Sequence, residues 1–180
     1  MAVKKKERIN LHETFMRRSY DHSVICTYSF VPTFFEDYCL EKFNCLAENG
    51  NLTVVVDHGI YERAILGPVS DKPKQANIRY LLHPVSVAGV FHAKLFFFAS
   101  RDRGRLILGS ANFTRPGITS NAEMVACYDY DASKDEFFKP IFQWAYAFLV
   151  ELTKRYPGNA FASNIQAISR DAIWLSSGEE

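Results

Sequence analysis

Two short polar patterns in the middle of the chain carry side chains that can act together on a phosphate ester. His92 and Lys94 lie two residues apart in an apolar stretch, and Gly109, Ser110 and Asn112 follow a second one. Alternate residues of a β-strand share a face, so the imidazole and the ammonium are expected to point the same way. A nucleophile or base, a fixed cation and neutral hydrogen-bonding groups together suit a phosphate.

The residues between the two patterns predict a β-hairpin that brings them together. Two apolar runs flank a polar turn from Ser100 to Gly104. Antiparallel pairing through this turn places the start of the first strand beside the end of the second. The polar side chains of both patterns should therefore converge at one end of a sheet.

The two patterns, followed by Asn121-x-Glu123, resemble the signature of the phospholipase D superfamily, His-x-Lys and then Gly-Ser-x-Asn. The family pattern usually has an Asp at the fifth position after the Lys. That position is Ala99 here, and the nearest acid is Asp102 in the turn. The superfamily's tyrosyl-DNA phosphodiesterase branch also lacks this Asp and remains catalytic, so the departure bears on the subfamily more than on activity.

The resemblance implies that His92 attacks phosphorus and forms a covalent phosphohistidine. Glu123 would accept a hydrogen bond from the far nitrogen of an imidazole and thereby fix its tautomer. One His cannot readily be both the nucleophile and the acid that protonates the leaving group. Larger family members carry two copies of the motif, so a single copy implies a homodimer with two His92 side chains at one cleft.

The other site residues are assigned to binding the phosphate. By the resemblance, Lys94 offsets charge on the non-bridging oxygens, Asn112 donates a hydrogen bond to them and Ser110 supports the geometry. Gly109 and Arg115 are expected to contact the substrate, with Arg115 reaching a flanking phosphate. The scheme needs no cofactor or metal, and the sequence shows no metal-ligand spacing.

The bulk properties predict a soluble, cytoplasmic α/β protein. The chain has 180 residues, a hydrophobic share of 48% and a net charge of +1, so nucleic acid would have to bind at a local basic patch. Neither a secretory signal nor a stretch long enough to span a membrane is evident. The four cysteines lack CxxC spacing and are expected to be buried, reduced thiols.

Hydrophobic patterning predicts a mixed, mostly central β-sheet flanked by helices, which is also the fold that the resemblance implies. Strands are expected at 23–30, 52–56, 78–82 and 124–130 besides the hairpin, and helices at 32–48 and after a Ser133-x-x-Glu136 capping box. We expect a basic lead-in arm at 1–18, a phospholipase D-like catalytic domain at 19–158, and a docking segment or linker at 159–180.

These expectations favour a metal-independent nuclease that hydrolyses DNA, or RNA, and that belongs to a restriction or phage-defence system. A helicase or DNA-recognition partner would supply targeting. Two alternatives stay open: a lipid phosphodiesterase or phosphatidyl transferase, and a non-catalytic dimerising module that binds nucleic acid. The absence of an apolar span or an interfacial amphipathic helix argues against the lipid alternative.

Overall fold

A computed structural model describes residue 11 and residues 20–43, 51–134 and 137–176. Six strands form one mixed sheet, as the sequence predicts, and their order in it is β3-β2-β1-β4-β5-β6. The strands are β1 His22–Thr27, β2 Asn51–Asp57, β3 Leu81–Val85, β4 Leu95–Ala99, β5 Arg103–Gly109 and β6 Val125–Asp131. β1, β2 and β3 run parallel, whereas β4 is antiparallel to both β1 and β5, and β6 is antiparallel to β5.

Helices cover both faces of the sheet, and each face has its own hydrophobic core. The helices are α1 Pro32–Phe34, α2 His58–Leu66, α3 Arg115–Thr119, α4 Lys139–Arg155 and α5 Asn159–Asp171. Consecutive residues of β4 point to opposite faces, so Phe96 and Phe98 lie in one core and Phe97 in the other. Both cores therefore contain aromatic side chains from β4.

Three elements differ from their predicted bounds. The helix predicted at 32–48 becomes irregular early, because α1 continues as a π-helical turn Phe35–Cys39 and a 3-10 turn Leu40–Lys42. Residues 44–50 lie outside the described ranges. The strand predicted at 78–82 forms three residues later, as β3, and the side chain of Ile78 is 80% exposed.

The third difference is the start of the long helix. α4 begins at Lys139, where Pro140 occupies a first-turn position that needs no backbone N–H. The predicted capping box does not start it, because the Ser133 hydroxyl donates to Asp131 instead. Glu136 lies outside the described residues.

The cysteines follow their prediction only in part. Cys26 and Cys39 are buried free thiols, and burial raises the pKa of Cys39 to about 12. Cys127 is also free but lies exposed on β6. Cys45 falls outside the described residues.

The predicted hairpin is confirmed by the pairing of β4 with β5. Leu95 lies opposite Leu108 and Ala99 opposite Gly104, with the turn at the far end. The arginines of this turn therefore lie away from the two polar patterns. Arg105 of β5 is 8% exposed, and its guanidinium donates two hydrogen bonds to Asp129.

The segment after α4 packs on the domain. Phe161, Ile165 and Ile168 of α5 are buried in the second core, and a 3-10 turn Ile173–Leu175 follows. The lead-in arm at 1–18 falls almost wholly outside the described residues. Its boundary and that of the docking segment remain predictions.

Candidate active site

The two polar patterns meet at one end of the sheet, although His92 and Lys94 do not lie on a strand. β4 begins at Leu95, so both residues belong to the loop that enters it. Their side chains nevertheless share a side. Lys94 Nζ lies 2.9 Å from Nδ1 and 3.1 Å from Nε2 of His92, and it also donates to the His92 carbonyl at 3.1 Å.

Lys94 is held in a partly desolvated position. Burial of the ammonium lowers the pKa of Lys94, and attraction to the Glu123 carboxylate opposes this shift. Glu123 is therefore the carboxylate whose charge acts on the cation beside His92. A partly desolvated cation is well suited to bind a phosphate oxygen.

Ser110 and Glu123 form the second part of the site. The Ser110 hydroxyl donates a short hydrogen bond to Glu123 Oε2 and accepts one from Met124 N–H at 3.0 Å. Asn121 Nδ2 donates to the other carboxylate oxygen at 3.1 Å. This network connects the end of β5 to the loop before β6.

Gly109 permits this close approach of the two chain segments. A Cβ at this position would lie 2.2 Å from the Met124 carbonyl oxygen and 2.8 Å from Val125 Cα, which are backbone atoms. Only glycine fits here without moving the strand pair. Gly109 therefore has a packing role, and its expected contact with the substrate stays a prediction.

Asn112 is fixed with its donor group available. Its Oδ1 accepts a hydrogen bond from Ser29 N–H at 3.1 Å, so the amide oxygen faces the loop after β1. The Nδ2 group then points away from that bond and can donate to a substrate oxygen. This orientation agrees with the donor role that the resemblance implies.

The expected roles of Glu123 and Arg115 stay predictions. Within the described residues, Glu123 bonds to Ser110 and Asn121 and forms no hydrogen bond with His92. Its expected role as acceptor for an imidazole N–H is therefore not seen among the described residues. Arg115 is exposed in the first turn of α3, three residues after Asn112, and its position leaves the expected contact with a flanking phosphate as a prediction.

Sequence reasoning missed Tyr28. Its ring centroid lies 5.0 Å from that of His92, and Lys94 Nζ lies 5.9 Å from the centroid of the same ring. Tyr28 follows directly after β1, which ends beside the start of β4. The strand predicted at 23–30 contains Tyr28, whereas β1 ends at Thr27, so only the earlier strand end places Tyr28 where side chains of neighbouring strands gather.

Two general properties hold for the described residues. They contain no group of three or more His, Cys, Asp or Glu side chains placed to hold a metal ion. None of the helices in the described ranges is both long and apolar enough to cross a membrane.

Comparisons with known proteins match this fold. A family model described as "Cardiolipin synthase, PLD-like domain" matches residues 13–143. The solved structure of yeast tyrosyl-DNA phosphodiesterase is similar with a TM-score of 0.53 and 16% identity, over 89% of this chain and 38% of that one. The structure of the phospholipase D family member Nuc from Salmonella typhimurium is similar with a TM-score of 0.53 and 18% identity, over 81% of this chain and 84% of that one. No curated protein sequence matches the chain.

The family match covers most of the chain, and the solved structures share its fold. The chain belongs to the phospholipase D superfamily, through a PLD-like domain. This family supports the predicted class of enzyme, a phosphodiesterase-type hydrolase. The chain spans well under half the length of the yeast enzyme, at 38%.

Proposed function

We propose that this chain is a nuclease that hydrolyses DNA phosphodiester bonds without a metal ion, through a phosphohistidine on His92. The observation that carries the proposal is the contact between Lys94 Nζ and the His92 ring nitrogens, at 2.9 and 3.1 Å. An imidazole nitrogen with a free lone pair can attack phosphorus, and the ammonium lies within 3.1 Å of both ring nitrogens, whichever of them carries the lone pair. The same ammonium can bind the phosphate that this nitrogen attacks.

The proposed reaction has two steps. A His92 nitrogen attacks phosphorus, a bond forms between them, and the departing ester oxygen takes a proton from a second imidazole. That second imidazole then removes a proton from water, which attacks the phosphohistidine and releases His92. Lys94 and the Asn112 amide stabilise negative charge on the non-bridging oxygens in both steps.

The second imidazole is proposed to be the His92 of another copy of the chain. Among the described residues Glu123 has no imidazole partner, and the exposed side chain of His92 is open to a second molecule. A two-fold axis at the cleft would bring the two rings to the same phosphate. Each Glu123 could then orient the imidazole that faces it.

An apolar surface beside Glu123 is the proposed contact between the two copies. Met124 is 82% exposed and lies next to Glu123 at the start of β6, the last strand of the sheet. Further along this edge, Tyr128 of β6 contacts Phe138, and Phe137 contacts Phe138. A second copy fits this surface, because a two-fold contact here would also bring both site ends of β6 together.

DNA is the proposed substrate, and RNA is the nearest alternative. The similar yeast structure is that of a tyrosyl-DNA phosphodiesterase, and this name supports DNA as the substrate of a chain with this fold. A role in restriction or phage defence, with a helicase or DNA-recognition partner, would give such an enzyme its targeting. A cytoplasmic location fits the buried free thiols Cys26 and Cys39.

A lipid substrate is the second candidate, because the matching family model carries the name of cardiolipin synthase. That enzyme's name implies transfer of a phosphatidyl group, which the same phosphohistidine chemistry could perform. The two candidates differ in the alcohol and the diester that enter the cleft. Both candidates use the same catalytic residues, so only assays with different substrates can distinguish them.

The test measures cleavage of single-stranded DNA, duplex DNA, RNA and phosphatidylglycerol vesicles in excess EDTA, with wild type and His92→Ala. We expect cleavage of DNA by the wild type and a loss of at least about a hundredfold in the variant. Activity that disappears with EDTA, or that survives His92→Ala, would overturn the proposal. Turnover of vesicles alone would establish the lipid candidate, and no turnover of any diester would favour a binding module.

A further inference from the structure

The backbone on either side of the site is held by two buried side chains that the reaction scheme does not use. Asp57 ends β2 and is 8% exposed. Its Oδ2 accepts a hydrogen bond from Phe91 N–H at 2.8 Å, directly before His92. Its Oδ1 accepts from Gly59 N–H at 3.0 Å and caps α2.

Thr27 makes the matching contact on the other side. It ends β1 and is fully buried at 0% exposure. Its hydroxyl accepts a hydrogen bond from Phe113 N–H at 2.9 Å, directly after Asn112, and donates to the Ser29 carbonyl at 2.9 Å. Asn112 itself accepts from Ser29 N–H, so Thr27 and Asn112 hold the same loop.

The two side chains come from neighbouring parallel strands. Thr27 lies opposite Val56 in the register of β1 and β2, so Asp57 is one position further along. Phe91 and Phe113 are themselves buried, at 7% and 1% exposure, in opposite cores. Each catalytic segment is thus anchored by a buried ring and by one backbone N–H.

We propose that Asp57 and Thr27 are positioning residues that set the separation between the His92 imidazole and the Asn112 amide. This inference rests on the proposed function, since the separation matters only if both groups act on one phosphate. The loop before Phe91 supports the need for such anchoring, because Ala88, Gly89 and Val90 are exposed. Without the Asp57 carboxylate, Phe91 N–H would lose its acceptor, and the buried Phe91 ring would remain as the anchor directly before His92.

The structure allows variants that remove one contact at a time. Asp57→Ser keeps one oxygen that can cap α2 by accepting from Gly59 N–H. The serine side chain is shorter and has no second oxygen, so it cannot accept from Phe91 N–H as well. Thr27→Val keeps the shape and removes the acceptor for Phe113 N–H, whereas Thr27→Ser restores a hydroxyl. Asn164→Ala is the matched control, because it removes a hydrogen bond to Thr53 Oγ1 of 2.9 Å near the other end of β2.

The experiment measures kcat and KM on DNA, together with amide hydrogen exchange at Phe91 and Phe113, in the full chain. We expect kcat to fall on the order of a hundredfold in Asp57→Ser and Thr27→Val, with KM little changed. Exchange should quicken at Phe91 in the first variant and at Phe113 in the second. Thr27→Ser should recover most of the kcat, and Asn164→Ala should keep it.

The outcomes separate this inference from the proposed function. A wild type that turns over no diester overturns the proposed function, whereas fast exchange of both amides in the wild type overturns the anchoring itself. Full kcat in Asp57→Ser despite fast exchange at Phe91 would show that the contact does not position His92. An equal loss of kcat in Asn164→Ala would show a general effect of stability and would also overturn the inference.

Discussion

Lys94 Nζ lies 2.9 Å from Nδ1 and 3.1 Å from Nε2 of His92, so the ammonium is within hydrogen-bond distance of both ring nitrogens. A neutral imidazole has one nitrogen with a lone pair, and the ammonium lies close to that nitrogen in either tautomer. A phosphate that enters the site must therefore replace the imidazole as the partner of the ammonium. This exchange would free the lone pair at the moment when the target of its attack arrives.

The electrostatic link between Lys94 and Glu123 predicts the alkaline limit of activity. Burial lowers the pKa of Lys94 from its ordinary value, so the ammonium is lost at a lower pH than in a free lysine. Glu123 raises the same pKa, and Glu123→Gln removes this effect. The alkaline limb of kcat/KM should therefore move to lower pH in Glu123→Gln than in the wild type.

The measurement is a pH profile of kcat/KM between about pH 6 and 11. Lys94→Arg serves as the control, because a guanidinium keeps its charge over this range. The activity that Lys94→Arg retains should therefore show no fall of kcat/KM at high pH. A limb that stays at the same pH in Glu123→Gln would contradict the coupling.

Gly109 gives a prediction about stability and activity together. A Cβ at this residue would meet the Met124 carbonyl oxygen at 2.2 Å, so Gly109→Ala must push β5 and β6 apart next to Ser110. We expect a loss of about 1–3 kcal/mol in the free energy of unfolding, with a lower kcat.

Gly89→Ala is the matched control for this substitution. No atom lies within 4 Å of a Cβ at Gly89, and no described glycine has a positive φ. This variant should be neutral or gain up to about 1 kcal/mol, because alanine restricts the unfolded chain. Urea unfolding of both variants measures their free energies of unfolding. Equal values for Gly109→Ala and Gly89→Ala would show that Gly109 is not tightly packed.

The sequence predicted the sheet and the convergence of the site, because both follow from local patterns. The hairpin depends on apolar alternation around one polar turn, and its pairing fixes which end holds His92 and Ser110. The start of α4 was predicted too early because Ser133 prefers the nearby Asp131 to a helix cap. The start of β3 was missed because Ile78 resembles a strand residue but lies exposed before it.

Contacts between distant segments had no signature in the sequence. The roles of Asp57 and Thr27 depend on backbone N–H groups at Phe91 and Phe113, which are 34 and 86 residues away. Every residue has a backbone N–H, so such partners cannot be identified by residue type. Residue type identified the groups that carry the chemistry, and only the fold shows what holds them.

Tyr28 should influence binding at the site through its ring. The centroids of the Tyr28 and His92 rings lie 5.0 Å apart with a tilt of 46°. Lys94 Nζ lies over the face of the Tyr28 ring, 5.9 Å from its centroid. Tyr28→Phe keeps this face and should keep activity, whereas Tyr28→Ala should lower kcat/KM about two- to fivefold. Steady-state kinetics of the two variants test this, and equal losses would assign the effect to the hydroxyl instead.

The proposed dimer gives the last prediction. Met124→Arg places a charge on the exposed surface beside Glu123, and a two-fold contact would bring the two arginines near each other. We expect the dissociation constant of the dimer to rise at least about tenfold, since like charges repel and an apolar contact is lost. DNA cleavage should fall in parallel at protein concentrations where the dimer separates.

Ile173→Arg provides the matched control for this substitution. Ile173 is 70% exposed, and the next residue, Trp174, bonds to the Ser100 carbonyl at the end of the sheet away from the site. Light scattering and activity over a series of concentrations should show Ile173→Arg behaving as the wild type. A wild-type chain that is a monomer at every concentration and yet fully active would exclude the shared cleft, and the second imidazole would have to come from the same chain.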